Sequence, residues 1–349
     1  METPNWLDRH GLGCLNLLAY CFVCHKKEET EQVANVKPAK FNELNDLWPR
    51  PWLWSRALIL FAISFFVLYF CWKEEGMEEQ SRLYPGLIIM GSLATPVSIL
   101  IYFFELNKFR TVSLLKVLRY FLIGSIVSIG VTFLLTYINM HLDTLLEFFI
   151  GLSGTRISHV SIDKWHDAIN AYIPTYLAAL FEEFGKTLII FIFLMHYRRR
   201  IYILQGILIG ASVGAGFSVF ESAGYTLLDS DNLLNTVMSR GIFAPVCHIA
   251  WGSLIGGGTM MITSGRLKVT KLLNPKFSAM FLFVSLLHGV WNYVLRYPNA
   301  SLLRFARINF HLNTLQLSLI TLFLVFLMIW AGKRQITKFK NQGYLPVEI

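Results

Sequence analysis

Charge is what this sequence has least of. Asp, Glu, Lys and Arg make up 15% of its 349 residues, where a soluble globular domain carries roughly 25%. So little charge cannot cover a water-facing surface, which excludes an ordinary soluble domain. Cysteine is scarce as well. The five copies, Cys14, Cys21, Cys24, Cys71 and Cys247, are odd in number and three crowd into the first 24 residues. A disulfide framework is not expected from them. A cleavable signal is also lacking. Only Arg9 precedes the apolar run from Gly11 to Cys24 with a basic charge, and HKKEETE follows it rather than a small-residue cleavage site. There is no H-E-x-x-H, and no internal repeat relates the two halves of the chain.

What is present in excess is apolar sequence: 54% of the chain is hydrophobic and the mean hydropathy is +0.50. These values describe an all-α polytopic membrane protein of about eight transmembrane helices. Eight apolar runs lie near 57–72, 84–104, 118–140, 171–196, 202–227, 241–263, 277–295 and 312–331. The net charge of +9 is a topology signal rather than a nucleic-acid patch. Of the 31 lysines and arginines, 22 fall on the side shared by both termini and 8 on the other, with Lys186 inside a span. The positive-inside rule then places both termini in the cytoplasm.

This organisation divides the chain into a cytoplasmic segment (1–50), three N-terminal spans (51–140) and an external loop (141–170). A four-helix core (171–297) follows, then the last span and a basic tail (298–349). Spans one to three carry few internal charges, and Thr95 and Pro96 predict a kink in the second. In the external loop, Leu142, Leu145, Leu146 and Phe149 share one helical face opposite Asp143 and Glu147, the pattern of an amphipathic surface helix. The C-x-x-C-H from Cys21 to His25 is the attachment pattern of c-type haem, but haem is attached on the other side of the membrane and no second metal-ligand pair stands nearby. An interfacial helix with cysteines open to acylation is the better reading.

The chain is organised around its fourth span, AYIPTYLAALFEEFGKTLIIFIFLMH, which carries Glu182, Glu183 and Lys186 near its middle. A carboxylate at bilayer centre costs about 2.5–3.5 kcal/mol even on insertion scales. Helical spacing brings Lys186 within reach of Glu182 (i+4) and Glu183 (i+3). One ion pair therefore offsets part of the cost and leaves a carboxylate over. A buried pair that only locks helices together is the plain alternative. The other spans add polar groups of their own. Span five repeats glycine at Gly206, Gly210 and Gly214, followed by Phe217 and Glu221. Span six begins near Arg240 and carries His248, Gly252 and Gly256. Span seven holds His288 and, one turn on, Asn292. At about 1.5 Å rise per residue, Glu182, Glu221, His248 and His288 all lie roughly 9–16 Å below the outer boundary. Two carboxylates and two imidazoles in one partly dry layer suit water activation, with imidazole and carboxamide donors for an oxyanion. The same groups, Glu182, Glu221, His248 and His288, can also ligate zinc, although their spacing shows no metal signature.

These blocks resemble the PrsW family of intramembrane proteases, related to the CAAX prenyl endopeptidases. The matching residues are the E-E-x-x-K of Glu182, Glu183 and Lys186, the F-x-x-x-E of Phe217 and Glu221, His248 after Arg240, and the HGVWN of His288 to Asn292. Ser222 departs from the asparagine expected after the glutamate. The resemblance covers about residues 171–297. It implies an intramembrane endopeptidase of the cytoplasmic membrane that cuts membrane-embedded or juxtamembrane segments of protein substrates, anti-sigma-factor-like single-span proteins among them. By the same resemblance Glu182 activates water, Glu183 or Glu221 assists, and His248 orients the water or shuttles its proton. His288 and Asn292 form the oxyanion hole, with Lys186, Phe217 and Arg240 in support. We read the centre as glutamic-type, with no metal cofactor; zinc is the cofactor if it is metal-dependent. The expected partners are a membrane-protein substrate and the lipid bilayer, and no nucleic acid. A proton- or ion-coupled transporter is the rival reading, since buried Glu, Lys and His also make proton relays. The missing internal repeat argues against it.

Overall fold

The computed structural model describes residues 53–74, 77–106, 112–141, 166–197, 202–228, 233–237, 244–263, 274–296 and 314–341. It also describes Arg240, Gly241, Leu267, Thr270 and the short strands 303–305 and 308–310. Eight long helices account for most of it: α1 (Leu53–Glu74), α2 (Met77–Leu106), α3 (Leu114–Met140), α4 (His166–His196), α5 (Ile203–Leu228), α6 (Ala244–Ile262), α7 (Pro275–Arg296) and α8 (Thr314–Asn341). Each contains or closely matches one of the eight apolar runs. Six of them, all but α4 and α6, are long and apolar enough to cross a membrane. Of the other two, α4 carries Glu182, Glu183 and Lys186 near its middle, and α6 is the shortest of the eight, 19 residues rich in glycine.

Burial sorts the helices into a centre and a rim. Nearly every residue of α5 from Ile203 to Phe217 is buried, as is most of α6 from Ala244 to Met260. A helix apolar on all sides belongs inside a bundle. By contrast α1 buries Phe65 alone and exposes Ile59, Leu60 and Phe70, while α3 exposes Phe133 and Leu134 and α8 exposes Phe323. For a bundle in lipid, these outward leucines and phenylalanines are the solvent-matched surface. α5 packs against α6, α3 and α2; α4 lies between α3 and α7; α8 closes over α6.

Polar side chains fasten the elements at their ends. The Ser113 hydroxyl caps α3 by accepting from Lys116 N at 3.4 Å. Gln335 Oε1 on α8 accepts from Ile203 N at the start of α5, at 3.0 Å. Tyr120 on α3 and Tyr197 after α4 bond through their hydroxyls, and Tyr84 on α2 donates to the Thr226 carbonyl on α5. α2 runs through Pro85 and Pro96 as one continuous helix.

Two details depart from the sequence reading. A short antiparallel hairpin, β1 (Leu303–Phe305) and β2 (Ile308–Phe310), stands between α7 and α8, its alternating apolar residues having the period of a strand. The basic tail expected after Gly332 stays helical to Asn341, because lysine and arginine are good helix formers and Arg334 stacks on Trp330 at 3.6 Å. The predicted surface helix after Leu142 and the Cys21–His25 motif lie outside the described residues.

Candidate active site

The close pairing of α5 and α6 builds the floor of the site. A methyl group on Gly206 would lie 2.5 Å from the Gly256 carbonyl oxygen, and one on Gly214 would lie 2.5 Å from that of His248. Between them Gly210 faces the Gly252 backbone with no space for a side chain. Only glycine permits backbones this near, as small-xxx-small spacing predicts. The contact sets His248 beside Glu221, one helix to the next.

Around that floor the structure gathers Glu182, Glu183, Lys186, Phe217, Glu221, Arg240, His248 and His288. Lys186 is fully buried, 2.5 Å from Glu183 Oε1 and 3.0 Å from His248 Nδ1. Of the two carboxylates within its reach, it takes Glu183, and Glu182 is the one left over. Glu183 Oε1 also accepts from His288 Nδ1 at 2.8 Å. The Lys186 ammonium lies over the Phe217 ring at 4.5 Å and within 5.7 Å of the Trp251 ring, so π faces complete its surroundings. Arg240 reaches Glu221 Oε1 at 3.3 Å while its guanidinium stacks on Tyr225 at 3.7 Å.

The inner edges of this cluster converge on a common point. His248 Nε2 lies 2.7 Å from Glu221 Oε2, and His288 Nε2 lies 3.4 Å from Glu182 Oε2. Neither pair is aligned as a hydrogen bond, so all four atoms are buried without a hydrogen-bond partner in the protein. Buried polar atoms of this kind normally serve water, ligand or metal. One ligand atom each from Glu182, His248 and His288 lies within 4.8 Å of the others. In spacing and donor type they fit a divalent ion, two imidazoles and a carboxylate being a known catalytic zinc set.

Some members of the site were not anticipated. Trp251 stacks on His288 (4.3 Å, 26°) and meets His248 edge-on (5.3 Å, 87°), with Trp291 behind it at 6.4 Å. Its place three residues after His248, on the same helical face, was the available signal. Tyr225, four residues after Glu221, carried the same signal. Ser222, the departure from the expected asparagine, donates to the Arg240 carbonyl at 2.5 Å and so helps hold that arginine. Asn292 is half-buried one turn beyond His288.

Glu182, His248 and His288 thus meet inside a bundle of apolar helices, with Glu221 beside His248. Residues 113–331 match the model of the PrsW family intramembrane metalloproteases, more than half of the chain, and the protein belongs to that family. It is 25% identical over 209 residues to Protease PrsW of Geobacillus kaustophilus, a stretch covering 60% of this chain and 79% of that protein. No solved structure matches. The family membership makes this chain an intramembrane protease with multiple membrane spans.

Proposed function

We propose that the chain hydrolyses peptide bonds at or near the external end of membrane-embedded protein segments, with Glu182 as the general base. Glu182 Oε2 carries the argument: a buried carboxylate oxygen, free of any hydrogen bond in the protein, beside His288 Nε2. Glu183 is tied to Lys186 and His288, and Glu221 is held by Arg240, so Glu182 is the carboxylate free to act. Glu182 takes a proton from water as the water oxygen bonds to the scissile carbonyl carbon. The carbonyl π electrons move to its oxygen, whose charge is met by imidazole and Asn292 carboxamide donors. Re-formation of the C=O expels the amine, which takes the proton from Glu182, leaving a carboxylic acid and an amine. Arg240, Lys186 and Phe217 hold the carboxylates and the histidine in place.

A second, metal-assisted reading is favoured by the spacing of Glu182, His248 and His288. These three would hold the ion, which would polarise the carbonyl and lower the pKa of a bound water. The glutamic reading is supported by Lys186 Nζ, 3.0 Å from His248 Nδ1, a cation beside a residue that a metal ion would need as a ligand. The distribution of basic residues supports a cytoplasmic-membrane location with the site in the outer half of the bilayer, and single-span anti-sigma-factor-like proteins are substrates of the right form.

The test is cleavage of a single-span reporter by purified protein in detergent, comparing wild type with Glu182→Gln, each with and without a strong chelator. Activity lost in Glu182→Gln and kept under chelation is the expected result. Wild-type activity in Glu182→Gln overturns the base assignment. Loss on chelation with recovery on zinc moves Glu182 and the histidines to the metal-assisted reading. Coupled ion flux in proteoliposomes without cleavage would favour a transporter.

A further inference from the structure

The two histidines look into the site through the same ring atom, Nε2, but opposite kinds of partner hold them from behind. At the back of His248, Lys186 Nζ lies 3.0 Å from Nδ1. At the back of His288, Glu183 Oε1 lies 2.8 Å from Nδ1. An ammonium paired with a carboxylate has hydrogens to give and no lone pair; an ionised carboxylate has lone pairs and no hydrogen. His248 Nδ1 must therefore accept, which places that ring's hydrogen on Nε2. His288 Nδ1 must donate, which leaves its Nε2 bare.

We propose that Lys186 and Glu183 hold His248 and His288 in opposite tautomers, so that one N–H and one nitrogen lone pair face the same reacting point. Three observations keep the arrangement in place. Lys186, Glu183, His248 and His288 are all fully buried, away from the water that would exchange the ring protons. The rings stand nearly perpendicular, 5.0 Å apart at 83°. Trp251 stacks on one and braces the other edge-on. On the site side, His248 Nε2 faces Glu221 Oε2 at 2.7 Å, a carboxylate that also favours a hydrogen on that nitrogen, and His288 Nε2 faces Glu182 Oε2 at 3.4 Å.

The division of labour follows. His248 Nε2–H is the imidazole donor for the oxyanion, and His288 Nε2 accepts a hydrogen bond from the attacking water beside Glu182. This exchanges the two roles that the resemblance assigns. It also bears on metal binding: His288 presents a ligand nitrogen oriented by a carboxylate, the arrangement of metal-bound histidines, whereas His248 Nε2 carries a hydrogen for as long as Lys186 donates to its other nitrogen. Lys186 and Glu183 act through the rings and are positioning residues. The roles in hydrolysis rest on the protease reading; the tautomers rest on the side-chain geometry alone.

The experiment is solid-state nitrogen NMR of the full chain in proteoliposomes with 15N-labelled histidine, the two signals identified by their loss in His248→Gln and His288→Gln. The expected pattern is protonated Nε2 with bare Nδ1 at His248, and the reverse at His288. The same tautomer at both, or a doubly protonated ring at either, overturns the proposal. Because Glu221 Oε2 also favours a hydrogen on His248 Nε2, the lysine's part is read in a Glu221→Gln background. Adding Lys186→Met there should release His248 into the other tautomer and leave His288 unchanged, and an unmoved His248 signal in the folded double variant overturns the lysine's part. Should that variant not fold, the wild-type pattern decides. With zinc chloride added, a coordination shift at His288 alone agrees with the proposal, and one at both histidines contradicts it. In the cleavage assay, His248→Phe should lower kcat by about 10²–10³-fold with KM unchanged, the loss typical of one oxyanion donor; a raised KM at unchanged kcat contradicts that role. Because the NMR pattern needs no cleavage, a wrong protease reading and a wrong tautomer assignment show up separately.

Discussion

At the scale of single residues, the energetics of the site turn on Lys186. Its ammonium is fully buried and holds Glu183 and His248 at once. Replacing it by methionine keeps the length of the side chain but leaves the buried Glu183 carboxylate without its cation, held by His288 alone. Breaking a buried pair from one side destabilises by about 3–5 kcal/mol, so Lys186→Met should melt well below wild type in detergent. An unchanged melting temperature would show that Glu183 does not depend on it. Phe217→Ala should also destabilise, by about 3–5 kcal/mol, through the lost core ring and the lost cation–π face; thermal unfolding reads it. Neither effect is expected of Glu182→Gln, because Glu182 Oε2 makes no hydrogen bond in the protein and its contact with His288 Nε2 is 3.4 Å long. Most of these residues were legible in the sequence, since an ionisable group in an apolar run stands out against its surroundings. Trp251 was not, because a tryptophan in a span reads like any other packing residue until His288, on another helix, is placed against it.

At the scale of elements, the α5–α6 contact is what the site is built on. A side chain at Gly210 has only the Gly252 backbone to displace, and a backbone carbonyl cannot swing aside as a flexible side chain does. Gly210→Ala should therefore cost about 1–3 kcal/mol, the range of an overpacked core, and should lower cleavage by moving His248 away from Glu221. Gly130→Ala on α3 and Gly224→Ala on α5 are the matched controls. Nothing lies within 4 Å of either added methyl, and replacing a helical glycine by alanine gains about 0.5–1 kcal/mol. Melting temperatures falling for the first and holding or rising for the other two would confirm the close approach. The glycine period was readable from spacing alone. Which helix it faced was not, since glycines at similar spacing in α6 admit several registers.

At the scale of the whole molecule, the direction of the chain through the bilayer decides which half holds the site. A cysteine at Lys73, in the last turn of α1, should react with an impermeant maleimide from outside the cell. One at Lys338 on α8 should react only after permeabilisation, with Cys14, Cys21, Cys24 and Cys71 replaced by serine in both. The opposite pattern would reverse the topology and put the catalytic layer in the inner half.

Composition and order of residues by themselves determined that this is a helical membrane protein, that its described residues form eight long helices, and which polar groups had to be explained. They could do so because hydrocarbon tolerates so few charges and forces every backbone group into a helix. Only the tertiary structure decided that Lys186 takes Glu183 and leaves Glu182 free, that Trp251 packs against both histidines, and that each ring is held from behind by a partner of opposite character. Those facts depend on how helices separated by tens of residues rotate against one another, and helical periodicity within one segment carries no information about that rotation.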